Sequence, residues 1–160
     1  MKGDEMEKVM IRRARAADAD AIGALIPRLI AFGPPPWRDP AEMSRTDRAV
    51  IAQAVTATGD DPAVFVAEAG GRVIGFVHLR SIEDYYRRRR HGHVADLVVA
   101  TGAEGRGIGR RLLARAEAWA LGQGFDWLSI AVFEANGRAL AVYETAGFRK
   151  DIIRLIKPLA

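Results

Sequence analysis

Apolar strand-like runs that alternate with amphipathic helical stretches over 160 residues predict a single soluble α/β domain, a sheet of about six strands with helices packed against it. Three observations carry that expectation. Two apolar runs flank Gly70–Gly71, a hairpin signal. The stretch Leu97 to Leu113, LVVATGAEGRGIGRRLL, passes from a strand-like run through three alternating glycines into an amphipathic helix. No repeat, low-complexity tract or linker divides the chain, which holds no cysteine and no apolar stretch long enough to span a bilayer.

The elements follow in order. Met1 to Lys8 is polar and lacks the apolar run of a secretory signal, so a frayed tail and cytoplasmic residence are expected. Val9 to Arg13 reads as a first strand. Asp18 is placed to cap a helix carrying Ile22, Leu25, Ile26, Leu29 and Ile30, with Pro27 bending it or shifting its boundary. Gly33-Pro34-Pro35-Pro36-Trp37 forms a stiff loop before a second helix with Val50, Ile51 and Val55 as its apolar positions. Ala63 to Ala69 and Arg72 to Arg80 make the hairpin. Val94 to Val99, Trp127 to Phe133 and Phe148 to Ile156 complete the strands, with helices between them.

The glycine-rich segment is suited to hold a phosphate. A helix start leaves four N–H groups unpaired and carries partial positive charge, and an anion completes it. Gly105, Gly107 and Gly109 let the backbone approach a diphosphate closely. Ile108, Leu112, Leu113, Ala116 and Trp119 share one helical face, while Arg110, Arg111 and Arg115 lie towards the polar side. A dinucleotide fingerprint would need glycine where Arg110 stands, and a P-loop would need a Lys-Ser/Thr pair that is absent.

From Asp96 to Leu113 the segment resembles the [RQ]-x-x-G-x-[GA] pyrophosphate loop of the GNAT acetyltransferases, with Glu104 at the position usually held by Arg or Gln. A second block, Asn136-x-x-Ala139-x-x-x-Tyr143-Glu144-x-x-Gly147-Phe148, is similar to that family's N-x-x-A-x-x-x-Y-E-x-x-G-F segment. Asn136 suits a helix N-cap and Gly147 a C-cap. The resemblance spans roughly Ile11 to Ile156. It implies a mixed, centrally splayed sheet of about six or seven strands flanked by helices on both faces, with the helix pair before the hairpin beside the acceptor entrance.

It also implies acetyl-CoA as cosubstrate and no metal. The residues implied to hold CoA are Leu97, Val98 and Val99 through their main chain, Glu104, Gly105, Arg106, Gly107, Ile108, Gly109 and Arg110 in the loop, and Asn136 and Tyr143. Where strand pairing opens, main-chain groups lose their partners and pantetheine fills the gap like an added strand.

The implied reaction is direct attack of an amine on the thioester, with Tyr143 protonating the leaving sulfur. Many relatives carry a glutamate where Ala95 stands. Strand alternation puts His93 on the face of Ala95 and Asp96 on the other, which leaves His93 and Asp96 as the candidates to take the amine proton.

Ser81 to Tyr86 mixes acidic and aromatic groups that would border the acceptor pocket and suit a small amine or polyamine. The run Arg87 to Arg90 has no interleaved aromatics, so a solvated loop is preferred over a nucleic-acid surface. The formal charge of +4 favours anionic ligands such as CoA. Alternative functions are a non-catalytic acyl-CoA-binding module and a protein or peptide amine acetyltransferase. Neither nucleic acid nor a membrane is expected as a partner, and a homodimer is left open.

Overall fold

The computed structural model describes residues 8–159, so the frayed stretch expected for Met1 to Lys8 lies, Lys8 apart, outside the described residues. The first strand, β1, covers Met10–Arg13. Asp18 does not cap the following helix with its side chain. Its carboxylate instead accepts from the Arg15 N–H at 2.7 Å and from both terminal nitrogens of Arg12 at 2.8 and 2.9 Å. That guanidinium holds the Asp18 carboxyl far down, at about 2.

Helix α1 spans Ala19–Leu25 and stops there, because Pro27 falls in a 3-10 turn, Ile26–Ile30, that carries the chain on. Helix α2, Pro40–Thr56, begins with Pro at its first position and Asp39 as a true cap, accepting from the Ala41 N–H at 2.9 Å.

The hairpin forms as expected from β2, Ala63–Ala69, and β3, Arg72–Glu83, with Gly70 and Gly71 both at positive φ. β4 is longer than its apolar core, Arg90–Val99, and β5 is shorter, Leu128–Ile130. Between them lies helix α3, Ile108–Gly122, and after them α4, Gly137–Thr145. The strand order is β1-β2-β3-β4-β5, antiparallel through β4 and parallel between β4 and β5.

Two apolar layers sandwich this sheet. On one face Ile22 of α1, Ile26 of the 3-10 turn, and Ile51 and Ala54 of α2 pack on Val64, Val66, Phe76 and Val98. On the other, Ile108, Leu112, Leu113, Ala116 and Trp119 of α3 are all buried against Phe65, Val77, Leu79 and Val94, the face read from their spacing. Tyr143 of α4 joins this second cluster.

The sheet has five strands rather than six or seven. Phe148 packs on the second core, but 149–159 form no strand, and Ile152, Ile153, Leu155 and Leu159 are 75–86% exposed. The alternation there has strand character, yet a strand persists only where a neighbour accepts its hydrogen bonds, and no ladder among the described residues reaches it.

Candidate functional site

After β4 a 3-10 turn, Thr101–Ala103, leads into the glycine loop. Gly105 and Gly107 sit at φ +75° and +74°, the left-handed region open to glycine, whereas Gly109 lies inside α3 with an ordinary φ. Gly107 is the N-cap and has no side chain to satisfy the helix start. The first bond of α3 runs from the Arg111 N–H to the Gly107 carbonyl at 3.2 Å. The N–H groups of Ile108, Gly109 and Arg110 therefore point out of the helix start without an intrahelical partner. Anchored by Ile108 and Leu112, this is a preformed anion cradle.

Glu104 is not a loose negative charge beside that cradle. Arg28 bonds its Oε1, and Arg138 approaches its Oε2 at 3.4 Å. Arg28 further donates from Nε to the Val99 carbonyl and from a terminal nitrogen to Thr101 Oγ1, each at 2.6 Å. Two arginines distant in sequence thus offset the departure at Glu104. Nothing near position 104 signals them. Of Val99's main-chain groups, the carbonyl is already engaged.

β4 and β5 pair only through Gly92–Leu128, His93–Ser129 and Val94–Ile130. Beyond Val94 the two strands part, which is the splay expected beside Leu97 to Val99. In α4, Asn136 Oδ1 accepts from the Ala139 N–H at 3.2 Å and Gly147 closes the helix at φ +98°. This helix presents Tyr143, 8% exposed, with its ring edge-on to Phe148 at 6.1 Å. The Tyr143 hydroxyl makes no hydrogen bond with the described residues. Burial first, and the charge of Asp96 second, raise its pKa.

Facing on β4 differs from simple alternation. Leu79 pairs with Val94 and His78 with Asp96, so Ala95 is an extra residue, a bulge. The bulge turns Asp96 onto the same face as His93, since their directly opposed partners His78 and Arg80 share a face of β3. The expectation that Asp96 points away from His93 is thereby corrected. Asp96 Oδ2 lies 2.8 Å from His78 Nδ1, and His78 is 1% exposed. Sequence reading passed over His78 because it sits inside an apolar strand run; its one signal is being the only imidazole there.

His93 is held elsewhere, its Nδ1 2.9 Å from Ser129 Oγ. Burial, with Arg80 and His91 adding to it, pushes its pKa down to about 4. The unfolded chain then binds a proton between pH 6.5 and about 4 that the folded protein does not, so stability falls as pH drops through that window and is unaffected by this group above it. A pH series of melting temperatures should show this slope, and His93→Gln should flatten it. An equal slope in the variant would count against a neutral ring at His93.

A match to the Acetyltransferase (GNAT) family covers residues 28–148, from the arginine that clamps Glu104 to the aromatic after the α4 C-cap. The chain belongs to that family. As a GNAT acetyltransferase it is an acyltransferase, and its neighbours agree. It is 27% identical over 141 residues to the uncharacterized N-acetyltransferase YhfO of Bacillus subtilis, covering 88% of this chain and 90% of that protein. It is 40% identical over 83 residues to the mycothiol acetyltransferase of Jonesia denitrificans, covering 48% of this chain and 23% of that one. Among solved structures, an aminoglycoside N-acetyltransferase, AAC(6')-Iy, in complex with CoA superimposes with a TM-score of 0.73 at 19% identity, over 96% and 95% of the two chains. A ribosomal-protein-alanine N-acetyltransferase from Brucella melitensis gives 0.69 at 16%, over 95% and 100%.

In this GNAT domain Ser81 to Glu83 belong to β3 itself, and only from Asp84 does the segment become a loop. Ser81 is buried, its N–H and hydroxyl bonded to Asp61, while Tyr85 and Tyr86 are 76% and 81% exposed and pack edge to face. The arginine run is tied down locally, with two carboxylates for four arginines. Arg87 stacks on Trp127 at 4.3 Å and, with Arg89, pairs with Asp126; Arg88 faces Glu83, and Arg90 bonds Ser81. No helix of the described residues is long and apolar enough to cross a membrane.

Proposed function

We propose that the chain, as one acetyltransferase domain, transfers the acetyl group of acetyl-CoA to a primary amine by direct attack, the acceptor being a small molecule or a polyamine-like amine. The observation that carries this reading is the start of α3, where the Ile108 to Arg110 amides stand unpartnered just after the stretch of β4 that no longer pairs with β5. The charge of Asp96, on that stretch, also acts on Tyr143.

The roles follow from chemistry. The amides at the start of α3, with Gly105 and Gly107 allowing close approach, take the diphosphate. Asn136 fixes the start of the helix that carries Tyr143. Main-chain groups of Leu97 to Val99 face the pantetheine arm, and a preoriented N–H there stabilises the oxyanion that forms as nitrogen attacks, a contribution of about 3 to 4 kcal/mol for one donor. Tyr143 stays protonated through the neutral range and gives its proton to the departing sulfur. His93, with its weakly basic ring, is better placed to order β5 through Ser129 than to take a proton from an ammonium ion.

The CoA-bound aminoglycoside enzyme that shares the fold supports a small amine acceptor. An open groove of about 480 Å³ between α2 and β3, bordered by Asp61, His78, Arg80 and Arg90, has room for one. The pairing of Glu104 with Arg28 and Arg138 keeps that carboxylate from opposing a bound diphosphate, while Ala95 still lacks the acid many relatives carry.

Titration calorimetry with acetyl-CoA, followed by thiol release across a panel of primary amines, tests the proposal. Binding with turnover is the expected result. Tight binding without turnover on any amine would make it a binding module, and no heat with CoA would remove the basis of the site.

A further inference from the structure

Resting on the acetyltransferase reading, we propose that His78, oriented by Asp96, accepts the proton of the acceptor ammonium from an amine seated in the groove between α2 and β3. Three features of the fold converge on that ring.

Orientation is the first. His78 Nδ1 is engaged by Asp96 Oδ2 at 2.8 Å, in a directly opposed rung of β3 and β4. A carboxylate on one ring nitrogen fixes the tautomer with the proton on Nδ1 and leaves the Nε2 lone pair as the base. No hydrogen bond among the described residues uses Nε2, and it is not among their buried atoms lacking a partner. The ring forms part of the wall of the open groove of about 480 Å³, together with Gln53, Ala54, Asp61, Arg80 and Arg90.

Position is the second. The β4–β5 ladder ends at Val94, and the bulge at Ala95 brings Asp96 to the first paired rung past the opening. The dyad therefore stands one rung past the point where β4 leaves β5, the gap this reading assigns to the thioester, and on the α2 side of the sheet. The groove reaches it from that same side.

The third is that the neighbouring positions of β4 offer no better base. Ala95 has no acid, and His93 gives its Nδ1 to Ser129. The charged and titratable groups around the dyad and the groove are Asp47 from α2, Asp61 before β2, Arg80 from β3, Arg90 and His93 from β4, and Tyr143 from α4. Asp47, itself pushed up by burial and by Asp96, adds a second acid near the ring.

The proton count closes. Nε2 takes one proton from the ammonium ion, and the neutral amine forms the C–N bond as the carbonyl electrons move to oxygen. The C–S bond then breaks; Tyr143 protonates the sulfur and takes the second proton from the nitrogen. His78 returns its proton to water, giving amide, thiol and one released proton.

The test uses ethylamine, small enough for any acceptor site, with saturating acetyl-CoA, and follows kcat/KM from pH 6 to 10 in the wild type, His78→Gln and Asp96→Asn. His78→Gln is expected to lose about 100-fold or more at pH 7. It should recover towards wild type as pH rises and free amine accumulates in solution, with the CoA dissociation constant unchanged and the melting temperature lowered only by what the disturbed buried pair with Asp96 costs, equally at every pH. Asp96→Asn should fall between the two. A loss that is equal at every pH, a profile that matches the wild type, or no turnover of ethylamine by a protein that binds CoA would each overturn the role of His78. Failure to bind CoA would overturn the acetyltransferase reading instead.

Discussion

Tyr143→Phe is expected to lower kcat by about 100-fold or more, within the range of about 10² to 10⁴ for loss of a positioned acid, while the KM for acetyl-CoA stays within a few fold. A 100-fold loss corresponds to about 2.7 kcal/mol of barrier. The phenylalanine keeps the ring that packs edge-on against Phe148 and fills the same place in the core beside α3, so folding and CoA binding should be preserved. What disappears is one hydroxyl. Because burial and the charge of Asp96 raise its pKa above the ordinary 10, that hydroxyl carries its proton throughout the neutral range, and wild-type kcat should show no loss from its ionisation below about pH 9. An acetyl donor with a more acidic thiol needs less protonation as it leaves, so the deficit of the variant should narrow with an aryl thioester. If the deficit is the same for both donors, Tyr143 serves packing rather than proton transfer.

Much of this site could be read from local pattern. The face of α3 follows from spacing alone, and so do the Asn136 cap, the Gly147 closure and the Gly70–Gly71 hairpin, because each is decided by residues within one or two turns of the chain. What escaped is decided across the sheet. Alternation along β4 assigned Asp96 to the wrong face because a bulge is fixed by pairing with β3, and no residue in β4 announces it. The same bulge creates the His78–Asp96 pair, so the most constrained imidazole of the site was hidden in an apolar run. Arg28 and Arg138 reach Glu104 from 76 and 34 positions away. Phe148 to Ile156 fails in the opposite sense. Its residue types favour a strand, but pairing is a property of two segments and the second is missing among the described residues.

Gly75→Val tests how closely β3 must approach β4 for that opening to exist. Gly75 pairs with Val99 at the end of the ladder, where β4 hands over to the loop that holds the diphosphate. A Cβ at position 75 would lie 2.7 Å from the Val98 carbonyl oxygen, 3.4 Å from Leu112 Cδ1 and 3.5 Å from Val99 Cα. The first of these is backbone and cannot rotate away. β4 must move, or the pairing of Gly75 with Val99 must break, and Leu112 at 0% exposure leaves no room on the α3 side. Overpacking of this kind costs about 1–3 kcal/mol, occasionally more. For a chain of this size about 3 kcal/mol corresponds to a melting temperature lower by roughly 6–12 °C. CoA affinity should fall with it, since the displaced segment is Leu97 to Val99. Gly102→Ala is the matched control, because its Cβ would meet no atom within 4 Å and its φ is ordinary; its melting temperature should stay within about 2 °C of wild type. If Gly75→Val melts and binds CoA as the wild type does, close approach of the two strands is not what shapes the opening.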